Sequence, residues 1–180
     1  MSPSAMAAIS YIIETLLTLC LVAVLLRLLL QWSRADFRNP LARSIVQLTN
    51  PVIVPLRRLL PSIGRLDTAT CVAAAVAALL EAAVHSLLAG LGPPAALPWL
   101  RGALIEILRT TLQIYFFGIF VYALLSMVGP PGYTPAQGLL AALCEPVLRP
   151  IRRVIPPLGG LDFSPLWAGI ALWALLIVIH

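Results

Sequence analysis

Residues 50–67 read NPVIVPLRRLLPSIGRLD, and residues 145–162 read EPVLRPIRRVIPPLGGLD. The two segments align without a gap at an offset of 95 residues, and nine of the 18 aligned positions are identical. The same offset places Pro40 over Pro135 and His85 over His180. A repeat at a fixed spacing marks a duplicated structural unit. We therefore predict two tandem repeats, over residues 1–92 and 93–180.

Each repeated segment has the pattern of a short amphipathic helix, over about residues 51–60 and 146–155. With about 3.6 residues per turn, the apolar side chains fall on one side of each helix and the arginines on the other. Such a helix lies in a membrane interface, with its guanidinium groups at the level of the lipid phosphates. The arginines predicted to bind anionic headgroups or a partner are Arg57, Arg58, Arg149, Arg152 and Arg153.

The residues at both ends of these segments are typical of helix boundaries. Asn50 and Glu145 are predicted N-caps, because each precedes a proline that suits the first helical position. Asp67 and Asp162 stand where the next apolar run begins. A carboxylate there can accept hydrogen bonds from free backbone N–H groups and meets the positive end of the helix dipole. We therefore predict that both aspartates are structural caps.

The composition excludes an ordinary soluble domain. Of the 180 residues, 61% are hydrophobic and only 11% are charged, with a mean hydropathy of +0.99, whereas soluble domains average about 25% charged residues. A bilayer core needs about 20 apolar residues in a helix. Four runs, at about 7–30, 68–91, 103–128 and 163–180, meet or approach this length. We predict an all-α membrane protein with four transmembrane helices.

The arginines predict how these spans are oriented. Nine of the 12 lie in the loops 31–67 and 129–162, and basic residues in short loops favour the cytoplasmic side. Both termini should therefore lie outside the cytoplasm. A unit with an even number of spans keeps its orientation when it is duplicated, so the two hairpin repeats should be parallel.

Several function classes lack support in the sequence. The net charge is +5, but the chain has no lysine, its arginines lie between long apolar runs, and no interleaved aromatic platform for bases accompanies them, so a nucleic-acid partner is not predicted. The three cysteines form no CxxC pair, so neither a disulfide framework nor a zinc site is predicted. Gly-rich phosphate loops, GxSxG and HExxH are missing as well. We expect no enzyme activity, no cofactor and no metal.

Charged residues within the predicted spans are candidate functional residues. Glu14 and Arg109 are related by the offset of 95 and should lie at equal depth. One hypothesis is an ion pair between them across the repeat interface. The alternative is that each side chain reaches the outer interface separately.

Glu81 and His85 are four residues apart and share one helix face. They could form a proton-responsive or cation-attracting pair. The alternative is an interfacial histidine beside a glutamate that satisfies a neighbouring group. A metal site that also includes His180 would lack a third ligand at a recognisable spacing.

The tandem pattern PVxxPxRRxxPxxGxLD resembles the signature of the YggT family, which includes YlmG proteins. The segment RLLLQW at 27–32 also resembles the arginine-containing end of the family's first span, although Gln31 stands where serine is common and Tyr122 occupies the position of Arg27 in the second repeat. The resemblance implies an integral protein of the bacterial inner membrane. It also implies links to osmotic tolerance, cell division, plastid-nucleoid organisation and cytochrome assembly.

Two functions follow as expectations. The first is a non-catalytic factor that organises or assembles membrane components by holding anionic lipid or a membrane-protein partner on its arginine-bearing helices. The alternative is a small ion or osmolyte permeation protein that responds to osmotic stress, with Glu81 and His85 along a polar path. Four spans with few polar residues would hardly line a pore alone, so the alternative needs a homo-oligomer.

Overall fold

The computed structural model describes residues 3–60, 67–90, 92, 95–128, 134–155 and 162–179. These residues form helices and, within these ranges, no strand. The six helices are α1 (Pro3–Trp32), α2 (Pro40–Leu59), α3 (Thr68–Leu88), α4 (Ala96–Val128), α5 (Pro135–Val154) and α6 (Ser164–Ile179). The all-helical prediction is therefore confirmed.

Three helices are long and apolar enough to cross a membrane: α1, α3 and α4. The fourth predicted span, at 163–180, corresponds to α6, an apolar helix of 16 residues that is shorter than the other three. In addition, α4 begins at Ala96 rather than near residue 103 and is 33 residues long. The predicted position of His180, and the predicted loop residues 61–66 and 156–161, lie outside the described residues.

The helices pack as two similar groups. α1 packs along α3 with α2 against both, and α4 packs along α6 with α5 against both. Contacts between α3 and α4, and between α2 and α5, join the two groups. α5 begins and ends 95 residues after α2, so the offset read from the sequence relates whole helices.

Small side chains allow the helices of the first group to approach closely. α3 buries four alanines, and large apolar residues of α1 and α2 fill the remaining space. Small residues at helix contacts are typical of packing within membranes. Many large apolar side chains elsewhere on α1, α4 and α6 are exposed, as expected of surfaces that face lipid. The buried residues that form this contact include Leu21, Val24, Leu25, Ile53, Ala69, Ala73, Ala74 and Ala78.

The amphipathic helices are longer than predicted, and the prediction that Asn50 and Glu145 are N-caps is wrong. Both residues lie inside helices, since α2 and α5 begin at Pro40 and Pro135. Asn39 caps α2 by accepting a hydrogen bond from the Leu41 N–H at 2.9 Å. In α5, Thr134 and Gln137 form a capping box. Both true caps also precede a proline, so the same local signature occurs twice in each segment.

Candidate functional site

Arg57, in the last turn of α2, forms an ion pair with Asp67, which directly precedes α3. Its Nη2 lies 2.5 Å and its Nε 3.1 Å from the same carboxylate oxygen, Oδ2. The Asp67 side chain is 8% exposed, whereas that of Arg57 is 47% exposed. This pair, which we call the first latch, ties the end of the amphipathic helix to the start of the next long helix.

The second repeat contains the equivalent pair, between Arg152 and Asp162. The Arg152 Nε lies 2.9 Å from Asp162 Oδ2, and its Nη1 lies 3.1 Å from Glu145 Oε2. We call this pair the second latch. Both partners are displaced by 95 residues from those of the first latch, so the same contact is built twice.

The two aspartates differ in what else they bind. Asp162 Oδ1 accepts a hydrogen bond from the Ser164 N–H at 2.9 Å, at the start of α6. Asp67 occupies the N-cap position of α3 but makes no capping hydrogen bond with its side chain. The capping role predicted for the Asp67 carboxylate is therefore corrected. Its Oδ2 is occupied by Arg57, by the Thr70 hydroxyl at 2.7 Å and by the Gln31 amide at 3.4 Å.

Both latches are held in their ionised form. Burial by itself would raise the pKa of Asp67, but the hydrogen bonds from Arg57 and Thr70, together with the Arg57 charge, lower it from 3.8 to about 2. Burial is likewise outweighed at Asp162, where the Ser164 hydrogen bond and Arg152 lower the pKa. The pKa of Arg152 is raised, because Asp162 outweighs the effect of burial.

Arg27 is a buried site residue to which sequence reasoning gave no role beyond the family resemblance. Its side chain lies in the contact between α1 and α2 and is 2% exposed. Its Nη1 donates to Thr49 Oγ1 at 2.8 Å, to Asn50 Oδ1 at 3.0 Å and to the Val46 carbonyl at 3.3 Å. Asn50 therefore binds Arg27 and does not begin a helix. A lone arginine within an apolar run was the signal that could have identified this residue.

Three of the five predicted headgroup-binding arginines lie outside the latches. Arg58, Arg149 and Arg153 are exposed, and within the described ranges they form no ion pair. Large apolar side chains are exposed beside them, such as Leu59 in α2 and Val154 in α5. A surface that exposes arginines and large apolar groups together suits the boundary between headgroups and acyl chains.

A second polar cluster lies between α1 and α3. The His85 Nδ1 lies 3.3 Å from Glu14 Oε1, and the Thr18 hydroxyl is hydrogen-bonded to Glu81 Oε1. Glu14 and Thr18 are four residues apart on α1, as are Glu81 and His85 on α3, so the contacts form two rungs between antiparallel helices. We call these four residues the polar ladder.

Arg109 is placed against Glu106 of its own helix, with 3.5 Å between Nη1 and Oε2. The contacts described for Glu14 and Arg109 are therefore with His85 and Glu106, whereas the repeat led to the hypothesis that the two residues pair with each other. In the part of the chain that the structure describes, no group of three histidine, cysteine, aspartate or glutamate side chains is arranged to hold a metal ion.

Comparison with known proteins identifies a family. The family model for CCB3/YggT matches residues 6–88 and 102–180. An uncharacterized protein of Pseudomonas aeruginosa is 40% identical over 163 residues, which cover 90% of this chain and 83% of that protein. The uncharacterized protein YggT of Escherichia coli K12 is 35% identical over 161 residues, or 89% of this chain and 83% of that protein. No solved structure matches the chain.

Proposed function

This chain belongs to the CCB3/YggT family, and on that premise we propose that it is a non-catalytic protein of the bacterial inner membrane that organises or assembles membrane components. The amphipathic helices α2 and α5 do this work by binding anionic lipid headgroups, and they present a membrane-protein partner or a second copy of the chain with a basic surface. The resemblance inferred from the tandem pattern is confirmed by the two matched segments.

The observation that carries this proposal is that α2 and α5 end in the same way, with exposed arginines in the last turn. Both helices have two arginines in the last turn, and in both one arginine of the two is held by an aspartate. The latch holds the helix end, and Arg58, Arg149 and Arg153 are exposed without an ion pair among the described residues. Each arginine near an anionic surface contributes about 1 kcal/mol.

This assignment divides the five predicted arginines into two groups. Arg57 and Arg152 position the helices through the latches, whereas Arg58, Arg149 and Arg153 bind headgroups. A latch arginine that turned fully toward lipid would leave behind a carboxylate with a lowered pKa and no counter-charge, which is unfavourable.

We also propose that α6 is the fourth span. Its 16 residues measure about 24 Å, which is shorter than the hydrocarbon core of about 30 Å. A short span of this kind is accommodated when the bilayer thins locally around it. With four spans, both arginine-bearing helices lie on the cytoplasmic side, and both termini lie outside.

Flotation with vesicles tests the lipid-binding role. The purified chain in detergent is mixed with vesicles of zwitterionic lipid, with or without an anionic phospholipid, and retained lipid is identified by native mass spectrometry. The triple variant Arg58→Gln/Arg149→Gln/Arg153→Gln should lose most of the preference for anionic lipid. The charge-matched control Arg34→Gln/Arg38→Gln/Arg101→Gln removes three exposed arginines that lie outside α2 and α5 and should retain it. Equal losses in both triples would contradict the proposal.

The polar ladder favours a second candidate function, the permeation of ions through a homo-oligomer. Four polar side chains lie along the contact between α1 and α3. Polar side chains within membrane-spanning helices are energetically costly and often mark a functional site. Ion flux into proteoliposomes separates the candidates. Strong flux that Glu81→Gln abolishes and that the arginine triple leaves unchanged would favour permeation over the organising role.

A further inference from the structure

Glu81 lies deep within an apolar helix. It follows the first residue of α3, Thr68, by 13 positions, which is about 20 Å along the helix axis. A charged carboxylate at such a depth in a bilayer is costly, and proteins place one there only with compensation. The question is therefore which protonation state the contacts of Glu81 fit.

The hydrogen bonds of the Thr18 hydroxyl indicate the protonation state of Glu81. Its Oγ1 lies 3.0 Å from the carbonyl oxygen of Glu14, one turn earlier in α1, and is also in contact with Glu81 Oε1. A threonine hydroxyl has one proton to donate and two lone pairs that accept. With that single proton, the hydroxyl can only share it between the two oxygens in a weaker three-centre bond. Two full hydrogen bonds need a second proton, and because the backbone carbonyl has none, Glu81 is the partner that can supply it.

The surroundings of Glu81 also favour a neutral acid. Its Oε2 is buried and, among the described residues, has no hydrogen-bond partner. The two basic side chains nearby contact other carboxyl groups, since His85 Nδ1 lies 3.3 Å from Glu14 and Arg109 Nη1 lies 3.5 Å from Glu106. The titratable neighbours of Glu81 are Glu14 of α1, His85 of α3 and Glu106 of α4. A buried carboxyl oxygen without a hydrogen-bond donor opposes a negative charge on the group.

We infer that Glu81 is a proton-binding site within the membrane-spanning part of the protein. It carries a proton at neutral pH, and its carboxylic acid donates to Thr18 Oγ1, whose own proton goes to the Glu14 carbonyl oxygen. The bound ligand is the proton itself. This inference goes beyond the proposed function, which rests on the arginines of α2 and α5, and either one can fail without the other.

Infrared spectroscopy tests the inference directly. The full chain in lipid nanodiscs, at neutral pH, should show the C=O stretching band of a protonated carboxylic acid, and the band should shift in D₂O. The band should disappear in Glu81→Gln, which keeps the shape and donating ability of the acid. The matched variants Glu14→Gln and Glu106→Gln should retain it. A wild-type chain without the band at neutral pH, or a band that survives in Glu81→Gln, would overturn the inference.

Thr18→Val provides a second test that does not depend on the folding of Glu81→Gln. The substitution removes the hydroxyl that accepts from Glu81 and leaves every charged group in place. The band should then persist but move to the higher frequency of an acid that donates no hydrogen bond. An unchanged frequency would show that Glu81 does not donate to Thr18, which would also overturn the inference.

Discussion

Arg57 places two of its nitrogens, Nε and Nη2, on a single oxygen of Asp67, although ten residues separate the two in the chain. The contact joins α2, which carries the exposed arginines, to α3, which packs along α1. Since Asp67 is almost fully buried and the equivalent Asp162 is more than one-third exposed, the two latches should differ in strength. The first repeat therefore has the firmer connection between its amphipathic helix and its long helices.

Removing the two aspartates should reveal this difference. We expect Asp67→Asn to lower the free energy of unfolding by about 2 kcal/mol, between the values for breaking fully buried and exposed pairs. Asp162→Asn removes a carboxylate that is itself 37% exposed and should cost about 1 kcal/mol or less. Thermal unfolding in the same detergent measures both. A larger loss for Asp162→Asn would contradict the assignment of the stronger latch to the first repeat.

The first latch should also give stability a defined dependence on pH. The pKa of Asp67 falls from 3.8 to about 2 on folding, so below 3.8 the unfolded chain binds its proton before the folded chain does. The contribution of Asp67 is therefore complete above the unfolded value and is lost as the pH falls through the folded value. Comparing the melting temperatures of wild type and Asp67→Asn across this range should show a difference that shrinks with acidification. A difference that grows on acidification would contradict this sign.

Arg27 should be sensitive even to a conservative change. Arg27→Lys keeps the charge but loses the planar group that reaches Thr49, Asn50 and the Val46 carbonyl together. We expect a loss of about 2–3 kcal/mol, because hydrogen bonds from a charged group are lost in a buried site. Tyr122→Phe, at the equivalent position of the second repeat, should cost less, because it removes a single hydroxyl, which is hydrogen-bonded to Arg152. Equal melting temperatures for Arg27→Lys and wild type would show that the three contacts add nothing to stability.

The sequence predicts the long helices well, because hydropathy and length depend on local composition. It does not predict where α2 and α5 begin. Asn39–Pro40 and Asn50–Pro51 have the same cap-and-proline signature, and local pattern does not rank them. Pro51 and Pro55 then lie inside α2, where proline usually breaks a helix. The Arg27 contacts that surround this part of α2 come from another helix, and such contacts are not visible in a local pattern.

The polar contacts between α1 and α3 are likewise predicted only in part, since local spacing shows the face of a residue but not its partner on another helix. Spacing within one helix correctly indicated that Glu81 and His85 share a face, since both contact α1. Which residues lie opposite depends on the register between α1 and α3, and no single-helix pattern contains that register. Repeat equivalence led to the hypothesis that Glu14 pairs with Arg109, whereas the packing of α1 along α3 brings His85 to Glu14.

The proposed orientation of the membrane-spanning helices can be tested by cysteine accessibility. In a background with Cys20, Cys71 and Cys144 replaced by alanine, single cysteines are introduced at Arg58, Arg153 and Arg101. All three positions are exposed, so an impermeant thiol reagent added to intact cells reports the side of the membrane. We expect labelling only at Arg101, because the first turns of α4, which contain Arg101, lie outside in the proposed arrangement.

Lysed cells provide the control, since all three positions should then be labelled. Two parallel hairpins require that Arg58 and Arg153 behave alike, because an even number of helix crossings separates them. If α6 did not cross the membrane, these two positions would still lie on one side, but the end of the chain would not reach the outside. A tag after residue 180 that is protected from external protease would therefore contradict the fourth span. Labelling of Arg58 and Arg153 on opposite sides of the membrane would contradict the parallel arrangement of the two repeats.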